Sequence, residues 1–255
     1  VPKWFDYPGI GISSQWFVVT GAVYRVDNGN FIGIELFAFD KANLVAGGNP
    51  FPGTCLGPGF NANADGAILM PSVNFDVNGD VYFIQNNWVN VNNGDSRMLR
   101  HFRYTAAGAF QDLGVFDVIN SSAAMPAAVP NPGADPTLYG APQPGNCSVL
   151  GTPCTIHVGD DRILSVVLRN NKLWATHTVG MPVGANPTRS AVAWYSFAVP
   201  PAAPVQQGIV EDTNGLNYYF PSIGIDEYDN VGLGFTGSKG GAGGVFASAY
   251  LAGRR

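Results

Sequence analysis

Charge is what this sequence has least of. Asp, Glu, Lys and Arg make up 12% of its 255 residues, about half the usual share. There are four lysines (Lys3, Lys41, Lys172, Lys239) and three glutamates (Glu35, Glu211, Glu227). The balance of 13 basic against 18 acidic residues gives a formal charge of −5. The arginines are scattered, so the concentrated basic face of a nucleic-acid binder is missing. Long apolar runs are lacking too. No window approaches ~18 uninterrupted apolar residues, which excludes a membrane-spanning helix. Helix signals are as scarce: no long stretch combines helical apolar spacing with a cap. Cysteine is limited to Cys55, Cys147 and Cys154. No second Cys or His pair stands at zinc-ligand spacing, and His101, His157 and His177 occur singly.

What is present is apolar and turn-forming. Hydrophobic residues are 46% and aromatic residues 12%, which excludes a disordered chain. Gly and Pro contribute 33 and 19 residues, and Asn 22. Asn stands in for charge in runs such as Gln85-Asn86-Asn87 and Asn90-Val91-Asn92-Asn93. A neutral surface rich in Asn, Gly and Pro is the composition expected of a secreted, extracellular protein. Cys147 and Cys154 flank a short loop containing Gly151 and Pro153, a spacing that can close a disulfide in an oxidising compartment. The alternative is two reduced, buried thiols. Cys55 is then left over. The chain starts at Val1 and ends in Arg254-Arg255, inside a strand-like pattern, so a longer natural product is expected.

Short β-branched and aromatic runs alternate with Asn/Asp/Gly turns along the whole length. Val77-Asn78-Gly79-Asp80 and Arg169-Asn170-Asn171-Lys172 read as hairpin turns, because Asn and Gly tolerate positive φ. Four segments resemble one another: Tyr7–Gly21, Met70–Asn86, Ile163–Thr178 and Phe220–Gly237. Each is a strand, a polar turn and a second strand, and three open on an aromatic residue or Met followed by Pro. A third strand follows each, at 32–40, 97–105, 189–199 and 246–253, and Phe110–Val115 suits a fourth, edge strand. Antiparallel units of three to four strands at this spacing are the signature of β-propeller blades. The expected fold is therefore all-β, a propeller or partial propeller. Residues 1–255 form one domain, incomplete at the C-terminus, with a Pro/Ala-rich insertion loop at 121–154. Further blades are expected from a longer chain or another subunit. The rival architecture is a two-sheet sandwich with long loops.

At these repeats the chain resembles a group of secreted bacterial propeller proteins of poorly defined function, placed with sialidase-like or BNR-like propellers. The residues that carry the resemblance are Tyr7–Ser13 with Trp16–Gly21, Asn170–His177 with Arg189–Tyr195, and Phe220–Asp226 with Phe235–Ser238 and Ala247–Tyr250. The resemblance implies a propeller and, at its furthest, a sialidase-like glycoside hydrolase. The Ser-x-Asp-x-Gly-x-Thr-Trp box of true sialidases is missing. Asp76-Val-Asn-Gly79 and Asp226-Glu-Tyr-Asp229 lack its Ser, Thr and Trp, so that activity does not carry over.

Three sets of residues are candidates for chemistry. Asp76, Asn78 and Asp80 place oxygen ligands in one short turn, as do Asp226 to Asn230; Ca²⁺ favours such a set, and an ordinary hairpin turn explains it equally. Trp88 sits among Asn87 and Asn90, a combination suited to stacking on a sugar ring while amides bond its hydroxyls. The competing reading is a tryptophan that covers a blade end. A sialidase-like site needs clustered arginines with a Tyr, a Glu and an Asp. Arg25, Arg97, Arg100, Arg103, Arg162, Arg169 and Arg189 are available, but nothing in their spacing gathers them. The reading ranked first is a non-catalytic extracellular binding or structural module with a glycan or protein ligand and no cofactor other than this Ca²⁺. A sialidase-like hydrolase and a lectin-like module are the alternatives. An enzyme requires acids and arginines converging at the propeller's central mouth.

Overall fold

The computed structural model describes residues 2–48, 54–56, 68–86, 98–118, 140–146, 153–183 and 187–255. Among them are eighteen strands and one five-residue helix. The all-β expectation holds. Strands β1 (Lys3–Ile12), β2 (Trp16–Arg25) and β3 (Phe31–Asp40) form an antiparallel meander. Helix α1 (Lys41–Val45) follows, capped by Asp40, whose side chain accepts from the Asn43 N–H, and β4 (Thr54–Leu56) returns to pair with β3. A second meander is built from β5 (Met70–Pro71), β7 (Val81–Asn86), β8 (Met98–Tyr104) and β9 (Phe110–Asp117). The two-residue β6 (Val73–Asn74) precedes β7 in the chain.

A hairpin of β10 (Gly140–Asn146) and β11 (Pro153–His157) comes next. It lies largely inside the stretch expected to be an insertion loop, the rest of which is outside the described residues. The third meander is β12 (Ile163–Arg169), β13 (Lys172–Met181), β14 (Arg189–Ala198) and β15 (Pro204–Val210). The fourth is β16 (Asn217–Ile225), β17 (Val231–Lys239) and β18 (Val245–Arg254). Asn170 and Asn171, at φ 54° and 55°, turn the β12–β13 hairpin in the left-handed region, as the sequence led one to expect. Among the described residues there are four sheets, and none closes on itself.

Successive meanders stack face to face, and the packing explains why the strands look as they do. All six residues of β7 are buried. Val81 and Phe83 pack on Val18, Ile34, Leu36 and Ala38 of the first meander. Tyr82 and Ile84 point the other way, onto Val166, Leu168, Leu173 and Tyr195 of the third. A strand covered on both faces carries apolar residues on both, so the period-2 alternation disappears over Val81–Ile84. β13 behaves likewise: Leu173 and Ala175 face the second meander, while Trp174 joins Trp194 against Ile223, Leu233 and Phe235 of the fourth. Each fully buried Leu, Phe or Ile contributes roughly 1.5–3 kcal/mol. Each of these two central strands therefore ties three meanders together.

The first strands of the meanders run side by side. β6 pairs in parallel with β1 (Ile12↔Val73) and with β12 (Val167↔Val73). Glycine permits this approach. A Cβ on Gly11 would lie 2.6 Å from Pro71 Cβ and 2.9 Å from the Ser72 carbonyl oxygen. Because these strands are parallel, their N-terminal ends share one end of the molecule. Their C-terminal ends lead into hairpin turns at the other.

Candidate functional site at the N-terminal ends of the inner strands

β1 and β16 carry the same interruption. In both, an aromatic-Pro pair breaks the ladder: the register slips between Asp6 and Gly9 and between Tyr219 and Ser222. Tyr7 has φ 53° and Phe220 has φ 51°. Bulky residues rarely occupy that region, and each such residue costs about 1–3 kcal/mol. A bulge re-aims a side chain that a regular ladder would direct elsewhere. Here it turns two aromatic side chains toward the segment that enters β12, residues 157–162.

That segment is fixed from beneath. The Asn86 amide donates to the Asp161 carboxylate at 3.3 Å, and its oxygen accepts the Ile163 N–H at 3.0 Å. The His177 ring meets the Asp161 carbonyl through Nδ1 and the Tyr195 hydroxyl through Nε2. Above this buried support the next side chains emerge half-buried. The Arg162 Nε lies 2.6 Å from Asp160 Oδ2, and Asp160 also accepts the Arg162 backbone N–H at 3.0 Å. The Arg162 guanidinium carbon sits 4.9 Å from the centre of the Tyr7 ring, within cation–π range. On the other flank the Phe220 ring lies over Gly159, where an added Cβ would come within 3.1 Å of it. The Phe220 N–H donates to Thr178 Oγ1 at 3.2 Å. Phe220 remains 41% exposed.

Charge couples these groups. Burial pushes the Asp160 carboxyl above the usual Asp range, while Arg162 and the nearby His157 pull it back. The Tyr7 hydroxyl is raised by burial first and then by Asp160; Arg162 opposes this and Asp6 adds to it. Tyr7, Asp160 and Arg162 thus lie together, with Asp6 within electrostatic reach of Tyr7 and Phe220 beside them over Gly159; β1, the lead into β12, and β16 contribute them. Together these side chains offer carboxylate acceptors, guanidinium donors and two aromatic surfaces.

The residues singled out from sequence fall elsewhere. Trp88, Asn87, Asn90 and Cys147 lie outside the described residues, as do the side chains of Cys55 and Cys154. Asp76, Asn78 and Asp80 lie at the opposite, hairpin-turn end, and their oxygens have protein partners. The two Asp76 carboxylate oxygens accept the N–H groups of Asn170 and Asn171, each at 2.8 Å. Asn78 Oδ1 accepts the Asp80 N–H at 2.9 Å. Asp80 accepts from Ala106 N at 2.7 Å and pairs with Arg103 at 3.4 Å. Asp226 accepts from Tyr228 and Asn230 of its own turn. Asp76 thereby clasps the second meander to the third. Among the described residues no group of three or more His, Cys, Asp or Glu side chains is gathered for a metal. Apart from Arg162, the arginines named from sequence and described here have partners elsewhere: Arg25 pairs with Asp27, Arg100 with Asp112, and Arg189 with Glu211. Arg169 donates to the Ile225 carbonyl at the turn end.

Sequence reading missed Asp160 and the roles of Tyr7 and Phe220. The usable signal was the recurring aromatic-Pro pair at the head of the repeats, which marks a bulge more specifically than any single residue does.

No family model matches the chain, and no curated protein matches it. Among solved structures, an endo-arabinase from Bacteroides thetaiotaomicron is similar with a TM-score of 0.46 at 10% identity, covering 97% of this chain and 74% of that one. At that identity and TM-score nothing of that enzyme's activity transfers to this chain.

Proposed function

We propose that this chain is a non-catalytic, extracellular glycan-binding module of β-propeller type. The four meanders are its blades, and its ligand site is the mouth formed by Asp6, Tyr7, Asp160, Arg162 and Phe220. The propeller reading is supported by inner strands that run side by side and by three stacked cores that follow chain order. The observation that carries the function is the convergence of an Asp–Arg pair with two bulge-borne aromatics at one end of those strands. Carboxylate and guanidinium together bond hydroxyls as acceptor and donor. An exposed aromatic edge takes the apolar face of a sugar ring. Extracellular placement rests on composition and on the proposed Cys147–Cys154 bridge.

Glycan-array binding by the full chain tests this. Asp160→Ala and Phe220→Ala are expected to abolish the signals. Asp76→Ala, at the opposite end, leaves them in place.

A second reading, a glycoside hydrolase, is favoured by one feature. The burial that raises the Asp160 carboxyl suits a general acid, and Asp6 supplies a second carboxyl. Release of fluorophore from a glycoside panel, lost in Asp160→Asn, would replace the non-catalytic reading with this one.

A further inference from the structure

We infer that the mouth selects an uncharged, polyhydroxylated ring and rejects sugars that carry a carboxylate. This rests on the glycan-binding reading and adds the class of glycan.

Among the described residues the fixed charges on the patch are Asp6, Asp160 and Arg162, two negative and one positive. A ligand carboxylate is bound well by a guanidinium that offers it two parallel N–H groups. Arg162 is already engaged. Its Nε edge lies 2.6 Å from Asp160, and its face covers Tyr7 at 4.9 Å. The other described arginines with a shown partner use it elsewhere. Arg25, Arg100, Arg103 and Arg189 are paired with acids elsewhere. Arg169 lies at the turn end, and Arg254 lies over Trp194 and donates to Gln206. His157 and Tyr7 also stand within electrostatic reach of Asp160. Among the described residues, an acidic sugar would therefore meet two carboxylates and a guanidinium already paired with one of them.

A neutral ring meets what it needs. The Asp160–Arg162 pair sets acceptor and donor side by side, matching adjacent hydroxyls. The Phe220 ring, 41% exposed, is held over Gly159, where a side chain would collide with it. The strained φ of Tyr7 and Phe220 fits this use, since such strain gathers where a site is pre-organised.

The test is isothermal titration of the full chain at pH 8 with two probe sets. One set is neutral oligosaccharides of glucose, xylose, galactose or arabinose. The other is oligogalacturonate and sialyllactose. The expected result is binding of at least one neutral probe, with both acidic probes at least ~10-fold weaker, a difference of about 1.4 kcal/mol. Asp160→Asn should weaken the neutral probe and narrow the gap to the acidic ones, since it removes one repelling charge. Acidic probes bound as tightly as neutral ones, or more tightly, overturn this inference while leaving the glycan-binding reading intact. No binding by either set overturns both.

Discussion

His101 gives the sharpest stability test. It lies in β8, is 0% exposed, and neither ring nitrogen has a hydrogen-bond partner among the described residues. Phe116 and Phe197 meet its ring edge-on, at 5.0 and 4.4 Å between centroids. Burial alone pushes its pKa down to about 3. His177, in the same inter-meander region, is pushed down to about 4, again mainly by burial. The sign follows from linkage. An unfolded histidine titrates near 6.5, so below that pH the unfolded chain takes up protons that the folded chain refuses. Stability is therefore full above about 6.5 and falls as the pH drops, by about 1.4 kcal/mol per unit per histidine. At pH 5 each contributes a loss of roughly 2 kcal/mol, together about 4. That is a large part of the ~5–15 kcal/mol available to a domain. Replacing an unpartnered buried polar group with an apolar one of similar size is neutral to stabilising. His101→Leu should thus be as stable as the parent at pH 7 or more so, and lose about half as much between pH 7 and pH 5. Urea denaturation followed by tryptophan fluorescence at the two pH values measures both. A His101→Leu variant whose stability falls as far as the parent's would refute the reasoning.

Other consequences can be checked alongside. Gly11 and Gly224 occupy the same place in the Gly-Ile-Gly-Ile and Ser-Ile-Gly-Ile motifs, but a Cβ on Gly224 meets nothing within 4 Å. Gly11→Ala should cost about 1–3 kcal/mol through its clash with Pro71, whereas Gly224→Ala should be neutral or stabilise by up to ~1 kcal/mol; equal shifts in urea midpoint would contradict the packing. Asp76→Ala removes the acceptor for two N–H groups of the third meander and should cost on the order of 1 kcal/mol. Hydrogen exchange should quicken at Asn170 and Asn171 in that variant, and unchanged protection there would count against the clasp. Thiol labelling under denaturing, non-reducing conditions should modify one cysteine, Cys55; modification of all three excludes the Cys147–Cys154 bridge.

The fold was legible where composition and local pattern act directly. The β-branched runs and the Asn170-Asn171 turn specify strands and a hairpin through backbone preference alone. The stacking of meanders was legible only indirectly, through strands such as β7, whose first four residues are all apolar, and β13, where Leu173, Trp174 and Ala175 follow one another. The mouth was not legible, for a physical reason. Asp6, Asp160 and Phe220 are far apart in sequence and are gathered by the parallel approach of strands and by two bulges. Spacing along the chain encodes neither. The oxygen-rich turn at Asp76–Asp80 was open to two readings in the sequence, a hairpin turn and a cation site, and in the structure its oxygens accept hydrogen bonds from neighbouring backbone.

Chemical-shift mapping tests the central claim most directly. A neutral oligosaccharide is titrated into isotope-labelled full chain, and the backbone amides are followed. The account predicts saturable shifts at Asp6, Tyr7, Asp160, Arg162 and Phe220, and none at Arg169 or at 226–230. Shifts confined to the hairpin-turn end, or none anywhere with any neutral sugar, would contradict it.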